Sequence, residues 1–140
     1  MNRKRASLVA VACLSVASAA LAKFNVAPNE KLEWKDAGVP GVWTAAVAGD
    51  MAKTPSRFYL KYKAGLVTPL HHHSADHYVT TVSGNLVLVA DGKENSLAPG
   101  SYFSLTEKQP HVARWEGSAD CVMFILADGP WDVVPEAPKP

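Results

Sequence analysis

The chain carries five histidines, His71, His72, His73, His77 and His111, four of them inside one short stretch. Neutral imidazole is a common ligand for transition metals, and the ring also titrates near neutral pH. On an extended chain His71 and His73 project to one face and His72 to the other, because side chains alternate with a period of two. Two imidazoles on one face, a third from the start of the next strand and a fourth from a distant strand can converge on one ion. Once the histidines are assigned this way, no Ser-His-Asp, Cys-His or paired-carboxylate arrangement is available.

Nitrogen ligands narrow the ion. Four imidazoles suit one divalent transition metal, Fe, Mn, Cu, Ni or Zn, and disfavour calcium and magnesium, which want oxygen. With no carboxylate among the ligands, the site keeps its full positive charge and is expected to attract an anionic or enolate substrate. An octahedral ion would have about two positions left for water, substrate or dioxygen.

The elements that must position these residues are strands. From Arg57 onward, short β-prone runs alternate with turn signals, which points to a sandwich or small barrel. The expected strands are Phe58 to Tyr62, His77 to Val82, Leu86 to Ala90, Lys93 to Leu97, Tyr102 to Leu105, His111 to Trp115 and Cys121 to Leu126. An earlier one is expected around Val42 to Val47. Asp91-Gly92 suits a type I′ hairpin, Gly84-Asn85 is similar, and Pro99-Gly100 suits a type II turn, so a meander is expected. Phe24 to Trp34 reads as an edge strand or arm. The proline-rich end, Val134 to Pro140, reads as an extended tail that cannot continue a paired strand.

Gly65 is followed by five residues, His71, one residue, His73, three residues, His77, six residues and Gly84. This resembles the first motif of the cupin superfamily (RmlC-like), and Pro99-Gly100 with Pro110-His111 resembles the second. The resemblance covers roughly residues 57–127. It implies an all-β fold, a small antiparallel cupin barrel (double-stranded β-helix or jelly roll), with His71, His73, His77 and His111 as metal ligands. There are two departures. His77 stands where the family usually has glutamate, as in some small cupins that bind metal through four histidines. Trp115 replaces an asparagine that often follows the second-motif histidine and is not a ligand. Histidine-only cupin sites are more similar to those of dioxygenases than to those of sugar epimerases.

Other groups are weaker candidates for the second shell or for substrate contact. Asp76 adjoins His77 and is able to orient an imidazole; a solvent-facing turn aspartate is the alternative. Arg57 and Arg114 are the only arginines beyond residue 22, and either would bind a carboxylate substrate if it faced inward. Phe58, Tyr62, Phe103, Trp115, Met123, Ile125 and Trp131 are candidates for the barrel lining. His72 is expected to be exposed.

Four segments result: 1–22 as a signal peptide, 23–56 as N-terminal strands or arm, 57–127 as the core and 128–140 as the tail. Arg3-Lys4-Arg5, an uncharged run and Ala20-Leu21-Ala22 have the form of an export signal, with cleavage expected after Ala22 and a periplasmic or secreted product. The uncharged run is too short and too poor in strongly apolar residues for a stable membrane span. Beyond it the chain has 11 basic and 13 acidic side chains and no basic cluster, which argues against nucleic acid as a partner. Cys121 would then be the sole cysteine, with no disulfide partner, and is expected to be buried as a small hydrophobe. A homodimer is expected from the family resemblance and from the need to cover Phe24 and Trp34.

Two functions stay open. One is a metal-dependent oxygenase or isomerase acting on a small polar molecule. The other is a non-catalytic module that binds or senses a small ligand or metal. Fold alone does not choose between them.

Overall fold

Buried and less buried side chains alternate along Ser56–Tyr62, His77–Ser83, His111–Glu116 and Cys121–Ala127, and this period of two helps to build two sheets that share one core. The computed structural model describes residues 24–137. The expected signal segment and its cleavage point lie outside the described residues.

The strands are β1 (Lys35–Asp36), β2 (Val42–Ala48), β3 (Ser56–Tyr62), β4 (His71–His72), β5 (His77–Ser83), β6 (Asn85–Ala90), β7 (Lys93–Leu97), β8 (Tyr102–Leu105), β9 (His111–Glu116), β10 (Cys121–Ala127) and β11 (Val134–Pro135). One sheet has the order β1-β2-β3-β10-β5-β8 and the other β11-β4-β9-β6-β7. All pairings are antiparallel. The protein is an all-β jelly roll.

Along β10, Cys121, Met123, Ile125 and Ala127 are buried and alternate with half-buried neighbours. Phe58 and Leu60 of β3, Val79 of β5, Leu86 of β6 and Trp115 of β9 meet them in the core. Burying a side chain such as Phe58, Leu60 or Ile125 contributes about 1.5–3 kcal/mol each. Cys121 is buried as expected, and burial pushes its thiol up to about 11. Among the described residues, no helix is long and apolar enough to cross a membrane.

Two turns have the expected chemistry. Asp91 and Gly92 both take positive φ, 50° and 71°, and join β6 to β7 as a hairpin. Gly100 has φ 87°, and the Ser101 N–H donates to the Ala98 carbonyl at 3.0 Å.

The expected meander is replaced by crossovers. Gly84-Asn85 makes no hairpin; it carries the chain from β5 in one sheet to β6 in the other. Gly84 needs to be glycine there, because its φ is 77° and an added Cβ would fall 2.8 Å from the Cα of Cys121.

Of the two readings of Phe24 to Trp34, the arm is the one observed, whereas the C-terminal end differs from expectation. Phe24 to Trp34 forms no strand; it holds a single 3-10 turn at Asn29–Lys31 before β1. Trp34 is covered within the chain, 6.5 Å from the Tyr59 ring and 4.5 Å from the Lys61 ammonium, whereas Phe24 is 94% exposed. The C-terminal segment is not a free tail. Val134 and Pro135 pair with His72 and His71, and the Glu136 N–H donates to the Leu70 carbonyl at 3.0 Å. β11 is tolerated despite its proline because it is a two-residue strand at the sheet edge.

Candidate metal centre

His71 opens β4, His77 opens β5 and His111 opens β9, each on the inward face of its strand. His71 and His111 face each other in register across β4 and β9. His73 follows β4 by one residue, and all four imidazoles are buried. One sheet thus presents three imidazoles and the other presents His77 across the interior.

One ring nitrogen each of His71, His73 and His111 lies within 4.8 Å of the others, close enough to share an ion. The His71 and His111 rings are 4.3 Å apart, His71 and His73 5.0 Å, and His73 and His111 5.2 Å. His77 stands at the margin, 4.6 Å from His73 and 6.2 Å from His111 between ring centres. The four line a small cavity of about 30 Å³, with Leu60, Val79, Leu88 and Ile125 among its walls. That volume suits an ion with a water, and little else.

Backbone carbonyls decide which nitrogen is free. Nδ1 of His71 bonds the Pro69 carbonyl at 2.8 Å, Nδ1 of His77 the Ala75 carbonyl at 3.2 Å, and Nδ1 of His111 the Gln109 carbonyl at 3.0 Å. Nδ1 of His73 bonds the carbonyl of Asp132. A carbonyl only accepts, so each Nδ1 carries the proton and donates, leaving the Nε2 lone pair for coordination. Three histidines thus use a carbonyl two residues back in their own strand approach. His73 uses one from the far end of the chain.

Burial lowers all four imidazoles below their ordinary value, taking His73 to about 3 and His111 to about 4. The carbonyl bonds oppose this with a smaller upward contribution, and the neighbouring rings lower the values slightly further. Rings held neutral with Nε2 open are in the form that coordinates a transition ion, so this donor set fits the divalent metal expected from the sequence.

Several expected partners lie elsewhere. Asp76 does not orient His77; its Oδ1 accepts the Glu107 backbone N–H at 2.7 Å and ties two loops together. Arg57 is exposed. The Arg114 guanidinium binds Glu94 through two bonds of 2.8 Å and approaches Glu116 at 3.4 Å, on the outer face of the sheet. Alternation puts Arg114 outward, since His111, Ala113 and Trp115 take the inward positions of β9. Trp115 is core, stacked on Tyr62 at 3.8 Å, and Phe58 packs behind Trp131; neither reaches the cavity. Tyr62, Phe103, Met123, Ile125 and Trp131 do line it. His72 is half-buried, not exposed: its Nδ1 lies 2.6 Å from Oε1 of Glu136.

Sequence reasoning missed Asp132. Its carbonyl holds His73, while its carboxylate accepts the Ser74 N–H at 2.8 Å and the Ser74 hydroxyl at 2.6 Å. Trp131 beside it stacks on His73 at 4.1 Å. The only signal was an indole placed just before a proline-rich end, where it must find cover.

A family model described as a cupin domain matches residues 58–127. The DNA damage-repair/toleration protein DRT102 of Arabidopsis thaliana is 28% identical over 83 residues, which is 58% of this chain; the chain spans only 26% of that relative. Among solved structures, the polyketide cyclase RemF from Streptomyces resistomycificus superposes with a TM-score of 0.68 at 15% identity, covering 84% of this chain and 88% of that one. KdgF from Halomonas sp. gives 0.62 at 22% identity, covering 76% and 94%. At these identities the two structures establish the fold.

Proposed function

Because the chain belongs to the cupin domain family, we propose that it is an exported metal-dependent enzyme, an oxygenase or isomerase acting on a small molecule. His71, His73 and His111 would hold one divalent transition ion through Nε2, with His77 completing the set. The observation that carries this reading is the set of four buried imidazoles whose Nδ1 protons are all committed to carbonyls. A bound ion would supply Lewis acidity toward a substrate oxygen and, if iron, manganese or copper, access to dioxygen chemistry.

The chain's own residues account for the rest. Leu60, Val79, Leu88 and Ile125 keep bulk water from the small cavity. Trp131 closes one side, stacked on His73 and set edge-on to His77 at 5.2 Å. The carbonyls of Pro69, Ala75, Gln109 and Asp132 hold the rings in one tautomer through turnover. The similarity of this fold to the solved structure of a polyketide cyclase supports the reading as an enzyme. Export rests on the N-terminal sequence, and a homodimer on the exposed Phe24.

Loading the protein separately with iron, manganese, copper and zinc, and following oxygen uptake with small diketones, phenols and hydroxy acids, tests the reading. Uptake with a redox-active ion and none with zinc is the expected result. Substrate conversion that is equal with zinc and takes up no oxygen would indicate isomerase chemistry, and ligand binding without turnover under every ion would indicate the non-catalytic module.

A further inference from the structure

Beside the small histidine cavity lies a chamber of about 720 Å³. The two share a wall: Leu60, Tyr62, His71 and Trp131 line both, so His71 is presented to the larger chamber as well. The larger is walled by the approach to β2, by β2 and β3, by the approach to β4 and by the C-terminal segment. Its volume is that of a site for a small organic molecule.

The lining chemistry is one-sided. Most of the wall is apolar, with Val39, Val42, Met51, Leu66, Val67 and Val133 among its residues; Val39, Val67 and Val133 are more than half exposed, so the chamber opens to solvent. The polar exceptions are few and partly occupied. The Thr68 hydroxyl accepts the Ala113 N–H at 2.9 Å, and the Asp132 carboxylate is held by Ser74. Among the described residues, no lysine or arginine lines the chamber. The Lys61 ammonium instead sits over the Trp34 and Trp43 rings, and Arg114 binds Glu94. In the metal-free protein a carboxylate or phosphate resting here would give up part of its water with no cationic side chain in return. A neutral apolar molecule would instead gain from the area it buries and from the faces of Tyr62 and Trp131. Burial also holds the Tyr62 phenol well above its ordinary value, so it stays a neutral donor.

We propose that this chamber binds a neutral, largely apolar ring compound and delivers one end of it past Tyr62 and Trp131 to His71. The proposal rests on the reading of the histidine cluster as the reactive centre. It replaces the anionic substrate expected from the charge of the ion alone, because the route to the ion is apolar.

The test compares 2-naphthol with 2-naphthoate, rings of one size that differ in charge, by calorimetry on the protein with metal and after chelation. In the chelated protein 2-naphthol should bind about tenfold or more tightly than 2-naphthoate. Val67→Trp and Val133→Trp, which fill the chamber from two different segments, should each weaken 2-naphthol by a similar factor while leaving the thermal midpoint unchanged. If one variant fails to fold, the other carries the test. Thr44→Lys should narrow the preference by giving the carboxylate a partner. Equal or tighter binding of 2-naphthoate, no binding of 2-naphthol, or binding indifferent to folded tryptophan variants would overturn the proposal. So would 2-naphthol dissociating a dimer, which would assign the chamber to a second copy. Selective binding in a protein that takes up no metal would leave the chamber standing and remove the metal reading; metal uptake without selective binding would do the reverse.

Discussion

The barrel strands and the C-terminal segment hold the same cluster of imidazoles by different means. In the strands, His71, His77 and His111 each enter on the inward face and fix their own tautomer through a carbonyl two residues earlier. His73, one residue past the end of β4, has no such partner and borrows the Asp132 carbonyl, 59 residues away. Regular backbone aims a side chain, and irregular backbone must be brought in where the regularity stops. Outer contacts of this kind set the orientation and basicity of metal-ligating histidines.

The strand half of the comparison is most strongly stressed by acid. Burial depresses the folded-state values of all four rings, His73 to about 3 and His111 to about 4, below the ~6.5 of an unfolded chain. Between those values the unfolded chain holds more protons than the folded one. The metal-free protein is therefore most stable above about pH 6.5 and should lose several kcal/mol as pH falls from there toward 4 and below. Denaturant melts across that range check this; a flat profile would mean the rings are not buried as neutral groups.

The shared core comes next. Phe58 is fully buried and packs edge-on against Trp131 at 5.1 Å. Phe58→Ala should lower the unfolding free energy by about 3–5 kcal/mol, measured by urea denaturation. A loss under about 1 kcal/mol would mean that the site collapses around the cavity without penalty.

Removing residues 129–140 isolates the second half. It should leave the barrel folded but weaken metal binding by about 10–100-fold, read by competition with a coloured chelator. Unchanged affinity would show that the Asp132 carbonyl and the Trp131 ring are incidental to His73. The smallest effect is on the outer face. Glu94→Gln breaks an exposed pair with Arg114 and should change neither metal affinity nor, measurably, the melting temperature.

Much of this was readable from residue order. The strands from β5 to β10 start and stop within a residue or two of their expected positions, because alternation and turn residues such as Asp91-Gly92 are local signals. The inward aim of His71 and His73 follows from the same alternation. What the order of residues did not reveal were contacts between distant segments. Gly84-Asn85 looks like a hairpin and acts as a crossover, since only the far strand at Cys121 distinguishes them. Asp76 and Arg114 sit beside ligands in sequence, yet the turn and the outward register carry them away. The proline-rich end looked unable to pair, but a two-residue edge strand needs few donors, so His72, Glu136 and Asp132 could be joined only once the fold was known.

The central claim is that three buried imidazoles share one ion. The most direct measurement is X-ray absorption at the metal edge of the loaded protein, with metal content determined in parallel for His71→Ala, His73→Ala and His111→Ala. The account predicts at least three imidazole nitrogens at about 2.0–2.2 Å, and loss of stoichiometric metal in each variant. An oxygen-only shell, or full metal retention in the three variants, would contradict it.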